Sequence, residues 1–441
     1  MRPLALCALL LAGPALAAKP TFPVTFKSST LKNGVTVVRA PFKSPGMVAY
    51  FTAVKAGSRN ELEPGMTGFA HFFEHMMFKG TRAWPGNARE ALLGKLGFSE
   101  NAYTSDDLTM YHVVGPTSGL EQLVEVEADR FQNLEYAEGT FQTEARAVQG
   151  EYLKNASSPF LKLNEALRAA AFKSHSYRHT TMGFWEDIQK MDTRFEYSKQ
   201  FFERWYAPDN IVIVVAGDFD DKKLMAAIEK YYGGWAGKAA KLDVPKEPPQ
   251  AELRTALVEW KLPTLPRHAV YWHTPSSVRD AACALVLAEY LTGPISPLYK
   301  TLVLEKQLVE SVGAYAPQRK DPFLFGLTAT LRDESKRPEV DHALLDAVKQ
   351  VADGKVDEAR LKAVQDNVVY STILDLETPD AVAGLLATAA AVYGKPEAAQ
   401  QLQDAAFALK AKDLVAFAKA HFTEKNRTSQ VLTAPEKGGG K

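Results

Sequence analysis

Two histidines and a glutamate within five residues are the side chains of this sequence whose types and spacing could do chemistry. His71, Glu74 and His75 form an H-x-x-E-H motif inside a largely apolar run, 67–80. On a helix, residues four apart lie one above the other, so the two imidazoles can bind one metal ion from a single face. Glu74 shares that face, where a carboxylate can take a proton from a water molecule. The motif therefore predicts a metal site suited to hydrolysis.

The alternative interpretation is a surface helix with two solvated histidines. Phe69, Phe72, Phe73, Met76 and Met77 surround the polar residues and make the segment mostly apolar, which does not fit a solvated helix. Polar groups held in an apolar environment usually have a partner or a function. H-x-x-E-H is also the inverse of H-E-x-x-H and is typical of inverzincin metallopeptidases. We therefore favour the metal site.

A catalytic zinc ion usually has three protein ligands and one open position, so a third ligand should come from elsewhere in the chain. Residues 141–153 read as a helix, and this segment contains Glu144 and Glu151. A spacing of seven residues is about two helical turns and places both carboxylates on one face. Taken alone, such a pair is also typical of a solvated acidic face.

The spacing of these motifs resembles the pitrilysin, insulin-degrading enzyme and mitochondrial processing peptidase family. Glu151 follows the H-x-x-E-H motif after 75 intervening residues. Four further segments resemble family segments in the expected order: 97–107 with Asn-Ala-x-Thr, 206–218, 296–300 and 311–314. The resemblance covers nearly the whole chain after its first residues.

This resemblance implies a role for each residue of the motif. His71, His75 and Glu151 are the expected zinc ligands, with one Zn²⁺ per chain, and Glu74 is the expected general base. Glu144 is the expected outer carboxylate, which orients a ligand and tunes the metal. The implied fold class is α+β, with two homologous α/β-roll domains. Each domain is an antiparallel sheet packed with helices, and together they form half of a clamshell chamber.

The implied function is a zinc-dependent endopeptidase that hydrolyses peptides or small unfolded polypeptides. Asn101 and Ala102 are expected to lie on a sheet-edge strand that binds an extended peptide through main-chain hydrogen bonds. Two alternatives stay open: a non-catalytic structural subunit of a related assembly, and a zinc-binding module that captures peptides. The physiological substrate and the cleavage preference do not follow from the sequence.

The N-terminus has the pattern of a secretory signal peptide, residues 1–17: a basic start, a short apolar core and a small-residue cleavage site after Ala17. No later apolar run is long enough to suggest a membrane span. We therefore expect an exported protein, in a bacterial periplasm. Cys283 would be the only cysteine after cleavage, so no intrachain disulfide is expected, and its apolar surroundings predict a packing role.

The clearest linker is 237–251, where Pro and Lys replace apolar periodicity. It separates an N-terminal zinc-binding domain, 18–236, from a homologous domain without the motif, 252–435, and a short tail, 436–441. Lys plus Arg and Asp plus Glu both number 52, so the formal net charge is zero. A neutral balance argues against nucleic acid as a partner, because phosphate binding needs a basic surface.

Two domains of this length would form only one side of the family's chamber. In longer members the far side supplies an arginine and a tyrosine to the substrate, from a segment that resembles the one beginning at Ser296. The roughly aligned positions here are Val303 and Glu310, and the spacing of Tyr315 fits poorly as a substitute. We therefore expect a dimer, with a related subunit bearing both groups favoured over a second identical copy. His175 and His179 have i,i+4 spacing, but their serine-rich context does not favour a helix or a second metal site.

Overall fold

The computed structural model describes residues 21–433. The predicted signal peptide, 1–17, and the predicted tail, 436–441, lie outside the described residues.

The first half of the chain contributes six strands and eight α-helices to the described structure. The strands are β1 (Lys27–Thr30), β2 (Thr36–Pro41), β3 (Met47–Val54), β4 (Ser99–Thr104), β5 (Thr109–Pro116) and β6 (Ile211–Gly217). The helices are α1 (Phe69–Met76), α2 (Ala88–Lys95), α3 (Leu120–Asn133), α4 (Glu138–Ala156), α5 (Pro159–Ala171), α6 (Trp185–Ile188), α7 (Phe195–Trp205) and α8 (Asp221–Tyr232).

The second half contributes five strands and seven α-helices. The strands are β7 (Arg254–Glu259), β8 (Arg267–Thr274), β9 (Val309–Tyr315), β10 (Phe323–Leu331) and β11 (Arg427–Thr433). The helices are α9 (Val278–Thr292), α10 (Pro297–Tyr299), α11 (Arg337–Ala352), α12 (Glu358–Asp375), α13 (Pro379–Tyr393), α14 (Ala398–Ala408) and α15 (Ala411–His421). Between α8 and β7, the segment predicted as a linker has no helix or strand.

The two halves repeat one sheet topology. The first sheet has the order β1-β2-β6-β3-β5-β4 and the second has the order β7-β11-β8-β10-β9. When β1 is left out, the two orders correspond: β2, β3, β4, β5 and β6 take the places that β7, β8, β9, β10 and β11 take in the second sheet. In each set of five, the first strand along the chain pairs in parallel with the last: β2 pairs with β6, and β7 pairs with β11. All other strand pairs are antiparallel. The α+β class with two similar domains is confirmed, and each sheet is mixed through its one parallel pair.

The halves also exchange helices. Helix α13 of the second half packs on β3 and β6 of the first sheet, and α5 of the first half packs on β7 and β11 of the second sheet. Strands β3 and β6 are therefore buried on both faces, which explains why both read as nearly continuous apolar runs. The exchanged helices bury apolar surface that belongs to both halves, so the domains are held together by shared cores.

One helical stretch of the described residues, Val278–Glu305, is long and apolar enough to cross a membrane by length and composition. Just over half of its apolar window, 56%, is buried inside the protein. Val286, Leu287 and Tyr290 of this stretch lie in the second domain's core. The stretch therefore contributes to the core of the second domain.

Candidate metal centre

Helix α1 carries the motif and is fixed by its apolar side. Phe69, Phe72, Phe73 and Met76 are all buried, and the three phenylalanine rings pack against further aromatic side chains of α4 and α7. The apolar residues that flank the motif therefore attach the helix to the core, and this packing determines which way the polar residues face. Isolated helices of eight residues are not stable in water, so the helix depends on its surroundings.

His71, His75 and Glu151 come together at the contact of α1 with α4. The Nε2 atoms of His71 and His75 lie 3.5 and 3.4 Å from the same carboxylate oxygen, Oε2 of Glu151. One ligand atom from each residue lies within 4.8 Å of the others. Within residues 21–433 this is the one group of three or more His, Cys, Asp or Glu side chains with such an arrangement. Two imidazole nitrogens and one carboxylate oxygen are a donor set that zinc prefers, so these residues fit the ion.

The two histidines differ in their surroundings. Burial, together with the nearby His75, lowers the pKa of His71 to about 4, so its ring is neutral at neutral pH, as metal binding requires. Glu144 Oε1 lies 2.9 Å from Nδ1 of His75, and this hydrogen bond is the largest cause of a raised His75 pKa. A proton on Nδ1 leaves Nε2, which faces Glu151, as the atom with a lone pair.

Glu144 is itself held by Lys79. The other oxygen of its carboxylate, Oε2, lies 2.5 Å from Lys79 Nζ. Burial disfavours the charged form, but the hydrogen bonds to His75 and Lys79 outweigh burial and lower the pKa of Glu144. A charged Glu144 that accepts the His75 proton orients the imidazole, which is how an outer carboxylate acts on a metal ligand.

Glu74 lies beside these ligands and contacts the edge strand of the first sheet. Thr104 Oγ1 in β4 donates a hydrogen bond of 2.6 Å to Glu74 Oε2. Burial raises the pKa of Glu74, and the hydrogen bond from Thr104 opposes that rise. A raised pKa makes a carboxyl group better suited to exchange a proton with a substrate near neutral pH.

Strand β4 is an open edge of the first sheet, because it pairs only with β5. Its residues alternate between the two faces, so Ala102 and Thr104 share the side that contacts α1, while Asn101 is exposed. The main-chain N–H of Ala102 donates to Oδ1 of Asn101 at 2.9 Å. The Asn101 side chain therefore occupies a main-chain donor of this edge strand.

The other predicted residues lie away from this centre. His175 Nε2 is 3.0 Å from Asp321, and His179 Nδ1 is 3.0 Å from the carbonyl oxygen of Thr180, so both histidines have protein partners. Cys283 is buried and unpaired, and burial raises the pKa of its thiol to about 12, which fits a packing role. Glu310 forms an ion pair of 3.1 Å with Arg332.

Sequence reasoning missed three residues around the site. Thr104 contacts Glu74, and Lys79 contacts Glu144. Glu61 contacts the N-terminus of α1. The alternation of β4 offered a signal for Thr104, because it is two residues beyond Ala102 and so faces the same way. Glu61 had no local signal, since it lies in a loop that precedes the helix by several residues.

Two family models match the chain. One is described as insulinase, peptidase family M16, and matches residues 47–183, which contain the whole metal centre. The other is described as the peptidase M16 inactive domain and matches residues 195–368. The repeated sheet topology, with the motif in the first copy alone, fits these two descriptions.

Similar proteins and structures agree with these matches. The zinc protease PqqE of Helicobacter pylori is 28% identical over 416 residues, which is 92% of either chain. A crystal structure of a protease from Helicobacter pylori superposes with a TM-score of 0.86 at 27% identity, over 93% of this chain and 99% of that one. The periplasmic protease PqqL of Escherichia coli shares the fold, with a TM-score of 0.77 at 20% identity, and the match covers 94% of this chain but 48% of that one.

The fold, the group of possible metal ligands and the family matches define a two-domain protein of the metallopeptidase type. The chain belongs to the pitrilysin family of peptidases, family M16, and to its short bacterial type.

Proposed function

We propose that this protein is a zinc endopeptidase whose ligands are His71, His75 and Glu151. The observation that carries the proposal is the convergence of both Nε2 atoms on one oxygen of Glu151, beside the carboxylate of Glu74. Glu144 orients His75 from the opposite ring nitrogen. The names of the similar zinc proteases support the same activity.

The chemistry is divided between the metal and the protein. A bound zinc ion would supply a Lewis acid that polarises a peptide carbonyl and makes a water more acidic. Thr104 holds one oxygen of Glu74, Oε2, and we assign the other oxygen, Oε1, as the acceptor of the water proton. Protonated Glu74 then delivers this proton to the nitrogen of the departing amine. The raised pKa of Glu74 suits both steps.

The substrate is proposed to be an extended peptide or a small unfolded polypeptide. It would add to the open edge of β4 at Asn101 and Ala102, with the Asn101 side chain giving way to a peptide carbonyl at the Ala102 N–H. Recognition through the main chain selects extended conformation over sequence. The proposed location is a bacterial periplasm, supported by the periplasmic relative PqqL and by the signal-like pattern of the first residues.

The test compares three variants in zinc content and in cleavage of a quenched peptide. Glu74→Gln should keep its zinc, because the ligands remain, and should lose about 10² to 10⁴ in kcat, because the proton acceptor is gone. His71→Ala and Glu151→Ala should lose zinc as well. Wild-type turnover by zinc-loaded Glu74→Gln would overturn the mechanism. A wild-type protein that binds zinc and peptide without cleaving it would instead support a peptide-capturing module.

A further inference from the structure

Helix α1 has no N-terminal cap of its own. Its N-cap residue is Gly68, at φ 89°, and no side chain at that position accepts a helix amide. The cap comes from Glu61 instead: the Gly68 N–H donates to Oε2 at 2.8 Å, and the Ala70 N–H donates to Oε1 at 2.7 Å. Glu61 is only 3% exposed. The two Glu61 oxygens satisfy amides that have no helical partner, so Glu61 fixes the start of α1.

Glu61 ends a short segment, residues 57–61, that lies against the loop between β4 and β5. Gly57 has no room for a side chain, since an added Cβ would lie 2.3 Å from the carbonyl oxygen of Ser105. The Arg59 N–H donates to the carbonyl oxygen of Asp106 at 2.8 Å, and Ser58 Oγ donates to its carboxylate at 3.1 Å. The segment and the loop are therefore joined into one packed unit.

That unit is tied to the second domain by two ion pairs. Asp106 is 1% exposed, and its carboxylate accepts from Arg168 at 2.7 Å and from Nε of Arg319 at 2.6 Å. Arg59 Nε lies 2.5 Å from Oδ2 of Asp321. Arg319 and Asp321 both come from the connection between β9 and β10, residues 316–322. This connection inserts one cation and one anion into the first domain.

We propose that the connection 316–322 of the second domain is a positioning element for the metal centre. Arg319 and Asp321 fix segment 57–61 through Asp106 and Arg59, and Glu61 then holds the start of α1 and so the placement of His71 and Glu74. The same loop follows Thr104, the residue that holds Glu74, so both routes lead to the reacting groups. The motif-free domain thus contributes to the chemistry of its neighbour. This inference deepens the proposed function and rests on it.

The test measures zinc affinity, by competition with a chelator, on the full chain. Arg319→Met removes the donor and keeps the aliphatic stem, and we expect zinc to bind about 10-fold more weakly, within the range found when outer partners of metal ligands are removed. Arg319→Lys should recover most of the affinity. The matched control is Arg254→Met: Arg254 of the second domain donates to the carbonyl oxygen of Ala171 at 2.6 Å but does not contact segment 57–61. The control should bind zinc within about twofold of wild type, because a lost contact distant from the ligands leaves them in place.

Folded Arg319→Met with wild-type zinc affinity would overturn the inference, as would equal losses in Arg319→Met and Arg254→Met. If Arg319→Met does not fold, Asp321→Asn is measured in its place, because Asp321 is more exposed and asparagine has the same shape as aspartate. A wild-type zinc affinity in Asp321→Asn would also overturn the inference. Because the readout is zinc binding, a wild-type protein that binds zinc but cleaves no peptide would refute the proposed activity and leave this test valid.

Discussion

At the scale of single residues, helix α4 carries two carboxylates that differ in their partners at the candidate metal centre. Glu151 faces both Nε2 atoms, whereas Glu144 lies at the far nitrogen of His75 and is neutralised by Lys79. They are seven residues apart, or about two helical turns, so one lies beside both Nε2 atoms and the other behind the His75 ring. This difference in position fits the proposed roles, with Glu151 as a metal ligand and Glu144 as a group that orients His75.

The Glu144→Ala variant tests this division. It should keep a zinc site but weaken zinc retention or activity by about 10 to 100-fold, because His75 loses the partner that fixes its ring. The loss should be smaller than in Glu151→Ala, measured by zinc titration and by peptide cleavage on both proteins. Lys79→Met keeps Glu144 beside His75 and removes the second partner of Glu144, so its loss should be smaller than that of Glu144→Ala. A zinc-bound structure with Glu144 on the metal and Glu151 turned away would exchange the two roles.

At the scale of elements, the ion pairs between the domains depend on pH in a defined direction. Burial disfavours the charged form of Asp321, but the hydrogen bond with His175 and the Arg59 guanidinium outweigh it and lower its pKa to about 2. An aspartate whose pKa is lowered in the folded state adds stability above its unfolded pKa of about 3.9, and this is lost as the pH falls towards the folded value.

Asp321→Asn should therefore lower the free energy of unfolding by about 1 to 2 kcal/mol at pH 6, after allowance for partial exposure. The difference from wild type should shrink between about pH 4 and pH 2, where wild-type Asp321 is itself protonated. Urea unfolding of both proteins across this range measures it. A difference that stays constant down to pH 2 would show that the charge of Asp321 does not stabilise the fold.

The sequence predicted elements with strong local patterns. The spacing of His71, Glu74 and His75 and the seven-residue spacing of Glu144 and Glu151 place these groups correctly on α1 and α4, since helical periodicity is a local property. The cap by Glu61 and the exchange of α5 and α13 between sheets could not be predicted in this way. Both depend on which surfaces meet in three dimensions, and an amphipathic helix does not specify locally which sheet it will cover.

At the scale of the whole molecule, the candidate metal centre lies entirely within the first of the two similar domains. Its fold matches 48% of the longer PqqL chain, so a second unit of similar size is available in that relative. The positions expected to supply an arginine and a tyrosine here offer neither: Val303 lies in a helical turn, and Glu310 is paired with Arg332. Tyr315 lies near Tyr271 and Phe323, with ring centroids 6.5 and 6.3 Å away.

We therefore predict that this chain works as a dimer, with the far side supplied by a related subunit in preference to a second identical copy. A hydrogen-bond donor aimed at the developing oxyanion contributes about 10² to 10³ in rate, so the isolated chain should cleave a quenched peptide more slowly than the mixture by this factor. Light scattering on the purified chain gives its mass, and the assay is repeated with the related subunit added. Glu74→Gln in this chain should abolish the gain, which assigns the chemistry to this subunit. A fully active monomer would refute the prediction. A fully active homodimer would show that a second copy of the same chain, and not a related subunit, forms the far side.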